Sequence, residues 1–164
     1  MITKNMLPGI FGMMLIIFAL SWGNMVWQPW FFLIGSVGIT ITALVERHRL
    51  FIGLQIIVLT GAIAALSPFA PSIKGLLPLL ISIPVLGFLA RQGILVTKNA
   101  WFGAVGLVAL GFGYAVQDPL GFFIGGALVS TFSGIELYAG FKPALIWLIL
   151  NLTFTVVAAW KLVS

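Results

Sequence analysis

Cysteine is absent from the 164 residues, which excludes disulfides, thiol catalysis and thiolate metal sites. Charge is scarce as well. Only 7% of the residues are Asp, Glu, Lys or Arg, where a soluble domain carries about a quarter. Acid–base chemistry has three carboxylates to draw on, Glu46, Asp118 and Glu136, and one imidazole, His48. They form no nucleophile–base pair and no metal-ligand spacing, and no phosphate-cradling glycine loop accompanies them. No enzyme is expected from such a set, and no cofactor or metal. Nor is nucleic acid an expected partner. The net charge is +5, but the Lys and Arg stand singly between apolar runs, without a basic patch or an interleaved aromatic face. They read as topology and lipid-headgroup charges.

What the chain has is apolar surface. Hydrophobic residues make up 62% of it and the mean hydropathy is +1.23. So few charges cannot coat a globule of this size, so the lipid bilayer is the expected solvent for most of the exterior. A helix needs roughly 20 residues to cross ~30 Å of hydrocarbon. Seven spans fit this length only if the loops are a few residues each. The expected fold is an all-α polytopic membrane protein of seven helices forming one membrane domain over residues 1–164.

Polar, proline and charged breaks place the helices near 6–22, 29–46, 50–67, 75–90, 100–116, 120–138 and 143–161. The joints are Gly23-Asn24, Arg47-His48-Arg49, Pro68 to Lys74, Arg91 to Asn99, Gln117-Asp118-Pro119 and Gly140 to Pro143. Asp118-Pro119 makes a good helix start, Asp as cap and Pro in the first turn, and Lys142-Pro143 starts the last helix similarly. Lys4 ahead of an apolar run ending Ala19-Leu20-Ser21 has the outline of a signal peptide. An uncleaved first helix is expected, because the internal repeat described below needs it.

The fourth segment is short and holds Pro78 and Pro84, so it reads as spanning or as re-entrant. Charge separates the two. With seven spans, Lys4, Arg47, Arg49, Arg91, Lys98 and Lys142 share one side, and Lys74 and Lys161 the other. Without the fourth span, Lys4, Arg47, Arg49 and Lys161 oppose Lys74, Arg91, Lys98 and Lys142, an even split. The positive-inside rule selects seven spans in the inner (plasma) membrane, N-terminus cytoplasmic and C-terminus external. Trp22, Trp27, Trp30 and Tyr114 then read as an interfacial aromatic belt on the outer side.

The first three helices resemble the last three. At an offset of 94, Asn5, Gly9, Gly12 and Phe18 match Asn99, Gly103, Gly106 and Phe112. At an offset of 91, Phe31-Phe32, Gly35, Thr40 and Leu59 match Phe122-Phe123, Gly126, Thr131 and Leu150. The chain divides into a first triplet (1–68), a linker helix (69–98) and a second triplet (99–164). The lone linker keeps the triplets parallel about an axis along the membrane normal, one of the repeat schemes of secondary transporters. This three-plus-one-plus-three plan resembles the SWEET-like seven-helix membrane proteins. Ile57-Val58-Leu59-Thr60-Gly61 followed by Leu76-Leu77-Pro78 is most similar to small bacterial inner-membrane proteins of the YgjV type. The chain departs from the class in having no Pro-Gln dipeptide and no mid-helix proline in its second and sixth helices. The local match also puts the third helix where the class has its linker. No binding residue carries over.

Polar groups inside spans mark a packing seam or a polar cavity. The second helix carries Ser36, Thr40 and Thr42, and the sixth Ser130, Thr131, Ser133 and Glu136. Thr40 and Thr131, as repeat mates, are expected near the pseudo-axis, where they line a pathway or bond their own helix carbonyls. Glu136, near the end of an uncharged run, is either a proton or cation coupling site or one half of a salt bridge with Lys142 or Arg91. Glu46, its counterpart, abuts Arg47 and Arg49 and reads as paired. Gln55 and Thr60, with Asn151, Thr153 and Thr155, form a second polar set serving interhelical hydrogen bonds or a ligand. The candidates for a ligand path are Thr40, Thr131, Ser133, Glu136, Thr60 and Asn151. His48, between two arginines, is expected to be solvated. Gly121 and Gly125, a GxxxG pair, serve an internal seam or a homodimer.

The function expected is a small carrier or channel for a small solute. The alternative is a non-transporting accessory subunit or assembly factor of a larger membrane complex, and a vitamin-binding subunit of an importer is a third reading. The orientation has a direct check. A tag placed after Ser164 is expected to react with impermeant reagents from outside intact cells, and protection there would remove the seven-span topology.

Overall fold

The computed structural model describes residues 4–21 and 26–164. The Gly23-Asn24 joint and Trp22 lie outside the described residues. After a short 3-10 turn at Lys4–Met6 come seven helices: α1 Leu7–Ser21, α2 Gln28–Val45, α3 Arg49–Leu66, α4 Pro71–Arg91, α5 Lys98–Val116, α6 Pro119–Tyr138 and α7 Ala144–Val163. Each is long and apolar enough to cross a membrane, α1 together with its leading turn. The chain is a multi-pass helical membrane protein.

Local chemistry sets the boundaries. At α6, Asp118 Oδ2 accepts from Gly121 N at 2.6 Å with Pro119 in the first turn, as the Asp-Pro pair predicts. Thr97 Oγ1 caps α5 through Ala100 N at 3.1 Å, a signal the sequence reading passed over. α5 stops at Gln117, which takes a left-handed φ of 57°. The largest boundary difference is in α4. It starts at Pro71, four residues before the expected 75, because Pro71 suits a first helical turn. Its 21 residues cover ~30 Å at 1.5 Å per residue despite Pro78 and Pro84.

Consecutive helices pack as antiparallel hairpins, α3 also packs on α5, and α1 on α7. Six helices therefore close into a ring in the order α1, α2, α3, α5, α6, α7. α4 stands outside the ring against α3 and α5. Its outer face leaves Leu80, Ile83 and Phe88 exposed. The helix ends gather Lys4, Arg47, Arg49, Arg91, Lys98 and Lys142 at one end of the bundle, the basic end. At the opposite end Lys74 Nζ donates to the Ala65 carbonyl at 3.0 Å, covering an orphan acceptor at the close of α3.

Small residues let the ring close. α1 and α2 meet backbone to backbone at Gly12 and Gly35, and α3 and α5 do so at Gly61 and Gly111. On α6, a methyl added to Gly125 would lie 2.7 Å from the Gly106 carbonyl of α5, and one on Gly126 would lie 2.8 Å from the Asn151 carbonyl of α7. The GxxxG pair is thus occupied inside the chain, and this face is not free for a homodimer. Trp27 and Trp30 are exposed, as an interfacial belt requires, but Tyr114 is only 2% exposed. Its expected place in the belt is corrected by phase: Leu107, Leu110 and Tyr114 recur at helical spacing and all three are buried.

Overpacking discriminates these seams from bystander glycines. Gly125→Leu is expected to destabilise the protein by about 3 kcal/mol or more. Gly87→Leu, where an added Cβ meets nothing within 4 Å, should leave stability unchanged. Thermal unfolding in detergent compares them, and equal effects would remove the seam from α5–α6 packing.

Candidate functional site

Inside the ring lies a small closed cavity of about 10 Å³. Its polar lining comes from four helices: Ser36 on α2, Gln55 on α3, Tyr114 on α5, and Trp147 and Asn151 on α7. No residue lining it carries a charge. The first two and the last two of these share an unusual property. Ser36 Oγ, Gln55 Oε1, Trp147 Nε1 and Asn151 Oδ1 are buried atoms that complete no hydrogen bond in the protein, Ser36 Oγ having only the Tyr114 phenol beside it. Their residues are 1%, 3%, 1% and 2% exposed. Asn151 is oriented by its other amide atom, since Nδ2 donates to the Trp147 carbonyl at 2.6 Å, which leaves Oδ1 as the free acceptor. An unpaired buried polar atom costs about 1–3 kcal/mol. Four converging on one cavity with room for about one water mark a place built to meet something polar.

Aromatic side chains close the cavity at both ends. Towards the end opposite the basic one, Phe32 meets Tyr114 at a ring-centroid distance of 4.7 Å and Phe122 at 6.0 Å, and Phe122 stacks on Phe154 at 5.1 Å. Towards the basic end, Phe51 stacks on Trp147 at 4.0 Å and meets Phe132 at 5.2 Å. Below this plug, His48 lies 4.6 Å from the Phe51 ring and 4.5 Å from Phe141.

His48 is not the solvated loop residue the sequence suggested. Its side chain is 20% exposed, and Nε2 lies 3.6 Å from Glu136 Oε2. Its Nδ1 accepts from Phe51 N at 3.3 Å, capping α3. Glu136 pairs with neither Lys142 nor Arg91. Asn99 Nδ2 donates to its Oε1 at 3.0 Å, so His48 and Asn99 hold the two carboxylate oxygens.

Of the six ligand-path candidates, Asn151 alone lines the cavity, joined there by Ser36 and Gln55 from the wider polar sets. Thr131 is exposed and Thr40 half-buried, and both return a hydrogen bond to their own helix, to Ala127 O at 3.0 Å and Ser36 O at 2.7 Å. Thr60 does the same with Ile56 O at 2.8 Å. The structure does not bring Thr40 and Thr131 together at the axis. Ser133 is fully buried with an unpartnered hydroxyl. It shares the helical face that runs from Ser130 to Glu136. Tyr114 and Trp147 escaped sequence reasoning. Their signal was phase: Trp147, Leu150, Asn151 and Phe154 form one helical face, all buried, on which the tryptophan sits well inside the hydrophobic run.

No protein-family model, curated protein or solved structure matches the chain.

The orphan atoms predict an unusual mutational response. Ser36→Ala removes a buried hydroxyl whose polar neighbour is the Tyr114 phenol, so unfolding stability should change by no more than about 1 kcal/mol in either direction. A loss of more than that in a detergent unfolding assay would show the hydroxyl to be a structural contact.

Proposed function

We propose that the protein is a small membrane carrier that passes a small uncharged polar solute along the axis of its six-helix ring. The carrying observation is the polar cavity at the centre, with its four unpartnered atoms and an aromatic plug on either side. Two of these atoms, Gln55 Oε1 and Asn151 Oδ1, accept hydrogen bonds, Trp147 Nε1 donates, and the Ser36 hydroxyl does either. A solute with both N–H or O–H groups and an acceptor would satisfy them. A cation or anion would find no countercharge. The cavity is closed and smaller than such a solute, which fits an occluded state whose plugs part in turn.

The ring order supports the repeat inferred from sequence. Rotation by half a turn carries α1, α2 and α3 onto α5, α6 and α7 and preserves every neighbour, with α4 as the linker outside. The equivalent positions on α2 and α6 differ from the sequence match by one residue. Phe32 faces Phe122, and Gly35 and Gly125 make the corresponding seams, an offset of 90 instead of 91. One residue turns a helix by 100°, which is why Thr131 points out of the bundle while its supposed mate does not. The basic end is taken as cytoplasmic by the positive-inside rule.

One observation favours the alternative, an accessory subunit. Between α3 and α4 an apolar groove of about 620 Å³, lined by Ile52, Ile56, Val85 and Phe88, opens to the side, where a partner helix would fit. The cysteine-free chain separates the readings. With the carrier, single cysteines at Ser36, Gln55 and Asn151 react with a small impermeant thiol reagent from one side or the other, while Thr131→Cys, facing lipid, does not. Silence at all three interior positions, together with a co-purifying membrane protein, selects the accessory subunit.

A further inference from the structure

The cluster of His48, Glu136 and Asn99 lies outside the central cavity yet touches the plug that closes it. His48 sits in the loop between α2 and α3, Asn99 in the first turn of α5, and Glu136 in the last turn of α6. The cluster therefore joins the first triplet to the second at the basic end. Two contacts dictate the state of the imidazole. Nδ1 accepts the Phe51 N–H, so it carries no proton, and the proton resides on Nε2, facing Glu136 Oε2. The gap of 3.6 Å exceeds a direct hydrogen bond. An imidazolium would draw the carboxylate closer. It would also turn Nδ1 from an acceptor into a donor aimed at the donor of Phe51. One added proton therefore strengthens the link to α6 and breaks the cap of α3.

That cap is connected to the cavity through rings. His48 packs on Phe51, and Phe51 stacks on Trp147, whose indole N–H is one of the cavity's orphan atoms. We propose that His48 and Glu136, held by Asn99, form the proton-binding site of the carrier, and that taking up one proton releases the Phe51–Trp147 plug and opens the cavity to the basic end. The coupling ion is then H⁺, taken up from the solution at that end and shared between imidazole and carboxylate. This rests on the carrier reading, and it names the ion and the gate of the same path.

Other charges surround the pair without taking part. Arg47 and Arg49 flank His48 in the chain and Glu46 closes α2. Lys98 precedes Asn99, and Lys142 follows Phe141 in the α6–α7 loop. Arg47, Arg49, Lys98 and Lys142 are exposed, and Glu136 is the one charge that acts on the imidazole. Burial pushes His48 below its ordinary value, and the adjacent Glu136 pulls it part of the way back. The unfolded chain therefore binds more protons than the folded one just below the ordinary value of about 6.5. Stability from this group is complete above about pH 6.5 and is lost as pH falls through the lowered folded value.

The sole histidine gives one imidazole signal in a uniformly labelled sample. In an NMR titration of the purified protein it should titrate below the ordinary value, and lower still in Glu136→Gln, where the charge that supports protonation is gone. The gate is read by thiol labelling of Ser36→Cys from the basic side, normalised to Ala139→Cys in the exposed α6–α7 connection. Between about pH 7.5 and about pH 5.5, the range over which histidine changes charge, normalised labelling should rise on the order of tenfold. In His48→Asn, which keeps a capping oxygen but cannot titrate, it should stay flat. Labelling that is pH-independent, or a rise that survives His48→Asn, overturns the proton gate and leaves the central path standing. A histidine titrating at its ordinary value, indifferent to Glu136→Gln, overturns the pairing. No labelling of Ser36→Cys at any pH overturns the gate, and silence at Gln55→Cys and Asn151→Cys as well removes the carrier reading with it.

Discussion

The structure depends on how closely helix backbones can approach one another. Lipid tails are as apolar as leucine, so helices in a bilayer gain nothing by hiding apolar faces from them. Association rests on van der Waals packing and interhelical hydrogen bonds. Gly12 against Gly35, Gly61 against Gly111 and Gly125 against Gly106 bring α1–α2, α3–α5 and α5–α6 into backbone contact. These seams allow six helices to close a ring, and the closed ring shields a polar interior from hydrocarbon. The α1–α2 seam is pinned further by Thr42, whose Oγ1 accepts from Gly9 N at 2.8 Å and donates to the Asn5 carbonyl at 3.3 Å. On α4, Gly87 meets nothing and Leu80 and Ile83 stand exposed, and the helix stays peripheral.

The same constraint sorts the polar side chains into two populations. Ser21, Thr40, Thr60, Thr131, Thr153 and Thr155 all donate to the carbonyl four residues back. A hydroxyl satisfied in this way tolerates lipid or packing and carries no information about a ligand. The cavity-lining atoms of Ser36, Gln55, Trp147 and Asn151 are not settled in this way, and the local bond from Asn151 Nδ2 to the Trp147 carbonyl leaves its Oδ1 open. A buried polar group left unmet is a stability cost, and such costs concentrate where a protein handles something else.

Much of the architecture was legible in the sequence. Asp118-Pro119, the charged joints and the spacing of apolar runs fixed helix number and most boundaries to within two residues. Charge asymmetry supplied the reason to count the fourth segment as a full span, although its start at Pro71 was missed because Pro68 to Lys74 reads as one long break. The site was far less legible, and the cause is angular. Sequence shows that Thr131 is polar and mid-helix, but only the rotation of α6 shows that it faces outward. A register error of one residue, harmless for a topology, turns a side chain out of the lumen. The aromatics failed differently. Tyr114 near a helix end looks like a belt residue until its phase with Leu107 and Leu110 is considered. His48 looked solvated because a loop between two arginines is polar in sequence, while Phe51 and Phe141 enclose it in space.

The enclosure of His48 also explains why a chain with so little charge keeps an acid near a helix end at all. A carboxylate at the hydrocarbon edge is costly unless it is paired, protonated or wetted. A structural need would be met best by Lys142 or Arg91, permanent cations on neighbouring segments. The chain instead gives Glu136 a neutral amide and an imidazole that burial biases towards its neutral form. An amide and a neutral ring stabilise a carboxylate less than a permanent cation does, so the arrangement forgoes stability. What it gains is a pair whose charge changes with one proton, beside the ring stack that seals the cavity. An arginine at position 48 would form a stronger salt bridge and a fixed one. The preference for the weaker, titratable partner is the physical argument that this end of the bundle is meant to change state.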